Sequence, residues 1–411
     1  MCVGDARAEG RGEPQEPGGD AGEHGSMPSG GLILPGGKVD PQALRRAWEE
    51  SSDDDALGRV RLELSRELDT RLDKYLTSRI PFMSRSQLQR LIDSGAATVN
   101  GRTARSATRL HKGDVIEIDL PPPPAKEIQP EEIALDVLFE DEHVIVLNKQ
   151  ADIIVHPARS ELRGTMINAL AWRFQHVSGG GLSRVGTEFA RPGVVHRLDR
   201  HTTGCIVFAK DDEAHWKLGA QFEHRTVAKH YLAVVQGRVE PDYDVIELPI
   251  GPHPSRLKGY REKFVVRHDE LGKPSTTVVR VRERYWRPLR RCGTPVTPGA
   301  GPGEWYSLIE LDLKTGRTHQ IRVHMSHLGW PIVGDDMYGG RPYLHGRGEV
   351  IMGRQALHAA TLAFDHPVLG GRLSVTAPLP RDMAALVADL RGSGVEAVNV
   401  PGAIRLDGLG L

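Results

Sequence analysis

Residues 121–124 are four consecutive prolines, and this block divides the chain. Proline locks its own φ, lacks an N–H and pushes the preceding residue out of the helical region, so neither a helix nor a central strand can pass through. Such a run is a stiff spacer, and 121–134 is read as a Pro-rich linker. The 411 residues suffice for two or three domains. With 39% hydrophobic and 26% charged residues, the composition is that of an ordinary globular protein. No run of about 18 apolar residues suggests a membrane span, and the N-terminus lacks the basic-then-apolar start of a secretory signal. Cys2, Cys205 and Cys292 are far apart and form no CxxC pair, which argues against a disulfide framework and a cysteine-built zinc site. A reducing cytoplasm is the expected location, and a monomer the default state.

The net charge of −1 hides an asymmetry. Residues 1–65 carry seven Lys/Arg against thirteen Asp/Glu, a net of −6. Residues 71–112 carry nine against two, Asp73 and Asp93, a net of +7. A binding footprint follows local charge, so the second number governs. Residues 1–30 are rich in Gly, Glu and Pro and cannot bury a core. The whole of 1–65 is read as a disordered acidic tail.

From residue 66 the pattern tightens. Leu68, Leu72, Leu76 and Ile80 recur every fourth residue, one face of a helix. Ser84 is a good N-cap for a second helix that stops at Gly95. Asn100–Gly101 between short strand-like runs signals a tight hairpin, and VIEIDL (115–120) alternates as a strand. Arg85, Arg90, Arg102 and Lys112 stud this unit and are the candidate RNA-binding groups, since such cations neutralise phosphates with little sequence discrimination. They also fit a solvated basic face with no ligand. The stretch RLDKYL…SRSQLQRLIDSGAATVNG…GDVIEI resembles the small alpha-L RNA-binding domain first known from a ribosomal small-subunit protein, which places that domain at 66–120.

Beyond the prolines, VIVLNK (144–149), CIVFAK (205–210), HYLAVVQG (230–237), TTVVRV (276–281) and YSLIELDL (306–313) read as strands. DDEAHWKLGAQFEH (211–224) and THQIRVHMSHLG (318–329) read as helices, the latter capped by Thr318. Strands outnumber helices without alternating with them. The expected class is therefore α+β: a catalytic domain over 135–395 with a mostly antiparallel mixed sheet flanked by helices and loops, plus the small α+β RNA-binding domain. Residues 284–304, with Pro, Gly and Cys, look like an insertion loop, and 396–411 like a C-terminal tail.

Chemistry concentrates in PGVVHRLDRHTTGCIVFAK (192–210), where Asp199 lies between Arg197 and Arg200. Flanking cations favour the ionised carboxylate, which suits a nucleophile, a base or a metal ligand; an Asp turn closing two strands fits as well. Arg317, His319, Gln320, Arg322 and His324 cluster in KTGRTHQIRVH, with His319 and Arg322 on one helical face. This is not HExxH, so a zinc-protease reading is poor. Tyr231 sits on a strand, where tyrosine is usually core.

Together HRLDRHTTGCIVFAK, KHYLAVVQG, GKPSTT, KTGRTHQIRVH, GDDMYG and LHAATLAFDHP resemble the RluA/RluD-type pseudouridine synthases over most of 135–380. One departure is Thr202–Thr203–Gly204 where the family usually has Thr-Ser-Gly; both hydroxyls remain. The resemblance implies an isomerase that moves the ribose bond of a uridine from ring nitrogen to carbon 5. Asp199 is then the catalytic carboxylate, Arg322 its cation and Tyr231 the ring that stacks on the base. Arg197 fills the gap left by the flipped nucleotide. Whether Asp199 attacks ribose or base, or takes a sugar proton, stays open. The reaction is redox-neutral, so no cofactor or metal is expected, and no GxxxxGK[ST] loop is present. The partner is RNA, ribosomal large-subunit RNA first and transfer RNA second. A catalytically inactive RNA-binding assembly factor and an acid/base hydrolase using Asp199 with His319 are the readings from other classes.

Overall fold

The computed structural model describes residues 32–34, 37–44, 58–120, 128–157, 163–185, 191–255, 263–288, 302–346, 348–398 and 400–411. The proline block, 1–31 of the acidic tail and 289–301 of the expected insertion lie outside them. The described residues divide into two compact units, one made of those up to 40 together with 58–120, the other of 41–44 together with those from 128 on.

In the smaller unit, β1 (Gly58–Glu63) precedes helices α1 (Leu72–Arg79) and α2 (Arg85–Leu91), then β2 (Ala97–Val99), β3 (Arg102–Thr103) and β4 (Val115–Leu120). The sheet order is β1-β4-β2-β3, all antiparallel. Residues 58–63, assigned by composition to the tail, are thus a sheet strand, with Val60 and Leu62 buried. The first helix starts at Leu72, and Thr70–Arg71 pairs instead with Arg109–Leu110. Ser84 caps α2 as its sequence foretells: its Oγ accepts the Gln87 N–H, and Gln87 Oε1 accepts the Ser84 N–H. Asn100 and Gly101 take φ of 51° and 75° between β2 and β3, the left-handed pair of a tight hairpin turn.

Asp73 is the electrostatic centre of this unit. Its side chain is fully buried and accepts from Arg71, Arg85, Gln89 and the Lys74 N–H. Burial pushes its carboxyl up, but the donors win and bring it down to about 2. A carboxyl depressed in the folded state stabilises above its unfolded value near 4, and that contribution is lost as pH falls from there toward 2. We predict that the protection factors of the α1 and α2 amides, with each exchange rate referred to the intrinsic rate at that pH, fall as pH drops from about 4 toward 2, and that Asp73→Asn flattens this dependence. An unchanged pH response in the variant would refute the assignment.

The larger unit is built on a ten-stranded sheet. Its strands are β5 (Asp136–Glu140), β6 (Val144–Lys149), β7 (Thr203–Ala209), β8 (Ala228–Gln236), β9 (Tyr243–Glu247), β12 (Thr276–Pro288), β13 (Gly303–Leu313), β14 (Leu357–Asp365), β15 (Arg372–Thr376) and β16 (Val395–Ala397). The short β10 (Ile250–Pro252) and β11 (Phe264–Val266) form a separate pair. The main order is β9-β12-β13-β8-β14-β7-β6-β5, with β15 on β14 and β16 on β12. Among the described residues every strand pairing in this sheet is antiparallel except β14 with β7, so the protein is α+β with a mostly antiparallel mixed sheet. Helices are α3 (Met166–Arg173), α4 (Asp212–Glu223), α5 (Gln320–His327) and α6 (Arg381–Arg391).

The unbroken apolar run of β6 is explained by burial on both faces. Val144 and Val146 pack with Ala214 and Leu218 of α4. Ile145 and Leu147 join the main core with Met166 and Leu170 of α3 and Met383 and Leu386 of α6. Residues 284–288 and 303–304, expected in a loop, extend the β12–β13 ladder. The expected C-terminal tail also folds: Ile404 and Leu409 enter the core, and buried Glu310 accepts the Ala403 and Ile404 N–H groups.

Gly204 lies in the single parallel pairing, opposite Ala359, with φ of 110°. A Cβ there would stand 2.2 Å from the Ala359 carbonyl oxygen. Gly204→Ala should therefore destabilise the larger unit by about 3 kcal/mol or more, strain and overpacking together. A denaturant midpoint equal to wild type would contradict this.

Candidate active site

Asp199 sits in the loop that leads into β7, closed by a Thr202 N–H to Asp199 carbonyl bond of 3.1 Å. Lys149, the last residue of β6, is wholly buried beneath it. Its Nζ donates to the carbonyls of Gln150, Arg200 and Thr202 at 2.9, 2.7 and 2.9 Å. Burial lowers this ammonium to about 7, against the pull of Asp199. Thr202 Oγ1 accepts from Gln355 Nε2 at 2.9 Å, and Thr203 Oγ1 pairs with His358 Nδ1 at 2.8 Å. Arg354, held by both oxygens of Asp382, donates to the His201 carbonyl. The two threonines thus fix the loop. His196 is structural: its Nε2 accepts the Val207 N–H at 3.0 Å, and its ring stacks on Phe222 at 4.5 Å.

Arg322, in the first turn of α5, reaches Asp199 from an element more than a hundred residues further along the chain. Its Nη1 donates to Asp199 Oδ2 at 3.1 Å. Its Nε and Nη2 grip the two oxygens of Asp335 at 2.7 and 2.8 Å, and its guanidinium lies 4.9 Å from the centre of the Tyr338 ring. Such a fork fixes the guanidinium in orientation as well as charge. Burial pushes the Asp199 carboxyl up, yet His319, Arg322 and Arg197 outweigh it and hold the group at about 2. Burial brings His319 itself down to about 4, so at neutral pH that ring is uncharged and Arg322 is the main cation. The Asp199 side chain stays 20% exposed: ionised, oriented and reachable.

It opens into a cleft of about 410 Å³ that Tyr231, Arg197, Lys229, Arg317 and Arg322 also line. That volume is in the range of small-molecule sites, and among the charged lining residues the arginines and lysines outnumber the two carboxylates, Asp199 and Glu223. Burial and the Asp199 charge raise the Tyr231 phenol far above its usual value, so it is neutral. Among the described residues, no group of three or more His, Cys, Asp or Glu side chains could hold a metal ion.

Of the residues singled out from sequence, Asp199, Tyr231, Arg322 and Arg197 converge on this cleft. Arg85, Arg90, Arg102 and Lys112 belong to the smaller unit, where Arg85 is committed to Asp73. Two corrections concern α5. The helix begins at Gln320 and is preceded by His319 at φ 54°, ψ 20°, without a side-chain cap, so Thr318 does not cap it. Gln320 organises that entry by accepting from the Thr315 hydroxyl and the Arg317 N–H. Sequence reasoning also missed Asp335 and Lys149. The signal for Lys149 was a lysine ending a strand buried on both faces. For Asp335 it was an acidic pair in GDDMYG with no assigned duty.

A carboxylate kept charged by a doubly anchored guanidinium, in a nucleotide-sized cleft rich in arginine and lysine beside a neutral tyrosine, suits an enzyme acting on a nucleic-acid base. Residues 143–327 match the family model described as RNA pseudouridylate synthase, and residues 70–116 match the S4 domain. An uncharacterized RNA pseudouridine synthase of Bacillus subtilis (strain 168) is 38% identical over 325 residues, 79% of this chain and 95% of that protein. Two proteins named ribosomal large subunit pseudouridine synthase D are each 36% identical. That of Xanthomonas campestris pv. campestris covers 80% of this chain and 92% of its own length; that of Pseudomonas aeruginosa covers 78% and 92%. The chain belongs to the RNA pseudouridine synthase family, as an isomerase with an S4 RNA-binding domain. No described helix is long and apolar enough to cross a membrane.

Proposed function

We propose that this protein isomerises uridines of large-subunit ribosomal RNA, with Asp199 as the catalytic carboxylate, Arg322 as its cation and Tyr231 as the face against which the target base stacks. The observation that supports this most is the Arg322 bridge between Asp199 and Asp335 at the wall of the basic cleft. In the reaction the N1–C1′ bond breaks, a C5–C1′ bond forms and the proton on carbon 5 ends on nitrogen 1, so nothing external is consumed. A stacked base cannot present its glycosidic bond to a side chain, so the uridine must leave the helix to meet Asp199. Arg197, exposed beside the cleft, then fills the vacated position. The S4 unit supplies RNA affinity through Arg90, Arg102 and Lys112, exposed on its surface.

The choice of ribosomal RNA follows the names of the Xanthomonas and Pseudomonas relatives. The hydrolase alternative is weakened because the carboxylate that shares Arg322 with Asp199, Asp335, has no exposed side-chain surface and is consumed by that pair. A non-catalytic assembly factor would have no use for a buried charge pair, costly to maintain without a reaction to serve. Pseudouridine mapping of cellular RNA from a deletion strain, with and without the restored gene, is the test. Restored sites in the large-subunit RNA support the proposal. Sites found in transfer RNA would replace it, and the absence of any gene-dependent site would refute it.

A further inference from the structure

Asp199 has a second neighbour whose chemistry is unassigned. His319 Nε2 stands 3.9 Å from Asp199 Oδ2, beyond hydrogen-bond distance. The other ring nitrogen is taken: Nδ1 lies 2.8 Å from Tyr338 Oη. That phenol oxygen already accepts the Phe264 N–H at 3.0 Å. Its own buried O–H needs an acceptor, and Nδ1 provides one. The ring hydrogen therefore resides on Nε2 and faces the cleft. Phe264 and Tyr338 wall the imidazole edge-on at 6.1 and 5.6 Å.

The backbone is strained to hold this pose. His319 has φ 54° and ψ 20°, a left-handed conformation that few non-glycine residues adopt, histidine more often than most, and that gathers at functional positions. It also stands at the amino end of α5, where the helix dipole disfavours an imidazolium. The charged groups acting on it are Asp199, Arg322, Asp335 and Arg197. Burial is the largest influence and keeps the ring neutral near pH 7.

We propose that His319 is a catalytic hydrogen-bond donor whose Nε2–H, fixed in that tautomer by Tyr338, meets a carbonyl oxygen of the everted uracil as negative charge builds on the ring. When the N1–C1′ bond breaks, its electron pair stays with the uracil and spreads onto the two carbonyl oxygens. That charge is cancelled when carbon 5 gives an electron pair to the electron-poor C1′ and bonds to it, after which carbon 5 loses its proton and nitrogen 1 takes one up. A fixed neutral donor in a partly buried cleft stabilises that charge without having to reorganise. The inference rests on the proposal that the target uridine enters this cleft.

The test uses the full chain and total RNA carrying 5-tritiated uridine, purified from a strain lacking the protein. Tritium release under single turnover is followed over a range of enzyme concentrations. His319→Gly relieves the backbone strain while removing the donor. It should lower the maximal rate about 10²–10³-fold, the scale for losing one such donor, without shifting the half-saturating enzyme concentration. His319→Gln, which keeps an N–H at similar reach, should recover part of that loss. Ring-nitrogen NMR of ¹⁵N-histidine protein should show the Nε2–H tautomer at His319 in wild type and a mixture in Tyr338→Phe, a change that a purely structural tyrosine would not cause. A glycine variant as fast as wild type, a loss confined to half-saturation, or an Nδ1–H tautomer in wild type each overturns the proposal. Wild type silent on this RNA sinks the substrate reading too, whereas active wild type with an equally active glycine variant sinks this inference alone.

Discussion

Asp199→Asn should bring pseudouridine formation down at least about 10⁴-fold, the scale reached when one member of a catalytic group is removed, while RNA retention changes little. The amide preserves shape and can still meet Arg322, but it carries no charge and can act neither as nucleophile nor as base. All three roles open to this residue require the anion, so the prediction does not depend on choosing among them. Because Arg322 and its neighbours hold the carboxyl near 2, the wild-type rate should show no acid limb from Asp199 at pH 5 or above. A limb appears only as pH approaches the depressed value and the carboxylate takes up a proton. Tritium release measured from pH 5 to 8, with filter retention of the same RNA, checks both statements. A variant within tenfold of wild type would remove Asp199 from the chemistry.

The second large effect is at Arg322. Arg322→Ala leaves the Asp199 and Asp335 carboxylates facing a space without their shared cation. Breaking a buried pair from one side costs about 3–5 kcal/mol. If most of that falls on the transition state, the rate drops by roughly 10²–10³-fold. Arg322→Lys restores a charge but cannot form the two-pronged contact with Asp335 and one bond to Asp199 together, so it should recover only part of the rate. Asp335→Asn should slow the enzyme less, because Arg322 keeps its charge and its bond to Asp199 while losing its anchor. A lysine variant equal to wild type would mean that charge alone matters and the fork is incidental.

The comparison of sequence with structure turns on the range of the forces involved. The Ser84 cap, the Asn100–Gly101 turn and the alternation of β4 were legible because each is set by residues within a few positions of one another. The strand cores at 144–149 and 306–313 were legible because apolar continuity marks burial. Where composition was averaged over long windows it misled. The acidic excess of 1–65 concealed β1, whose alternating valine and leucine find β4 some sixty residues on. The Pro and Gly content of 284–304 concealed the ladder that β12 and β13 extend through its ends. Residues 403–404 looked like a tail because nothing local reveals that Glu310 waits for their N–H groups.

At the candidate active site the sequence by itself singled out the side chains that the proposed function uses: Asp199 between two arginines, a strand tyrosine and the arginine of QIR, in motifs whose order already suggested the family. Only the tertiary structure decided that Arg322 lies 3.1 Å from a carboxylate 123 positions away, that Asp335 fixes its orientation, and that Lys149 ties down the loop from below. The physical reason is that residue identity is written one position at a time. An ion pair between distant positions exists only after a sheet has been folded, and its strength depends on the burial and hydrogen bonding that the fold supplies.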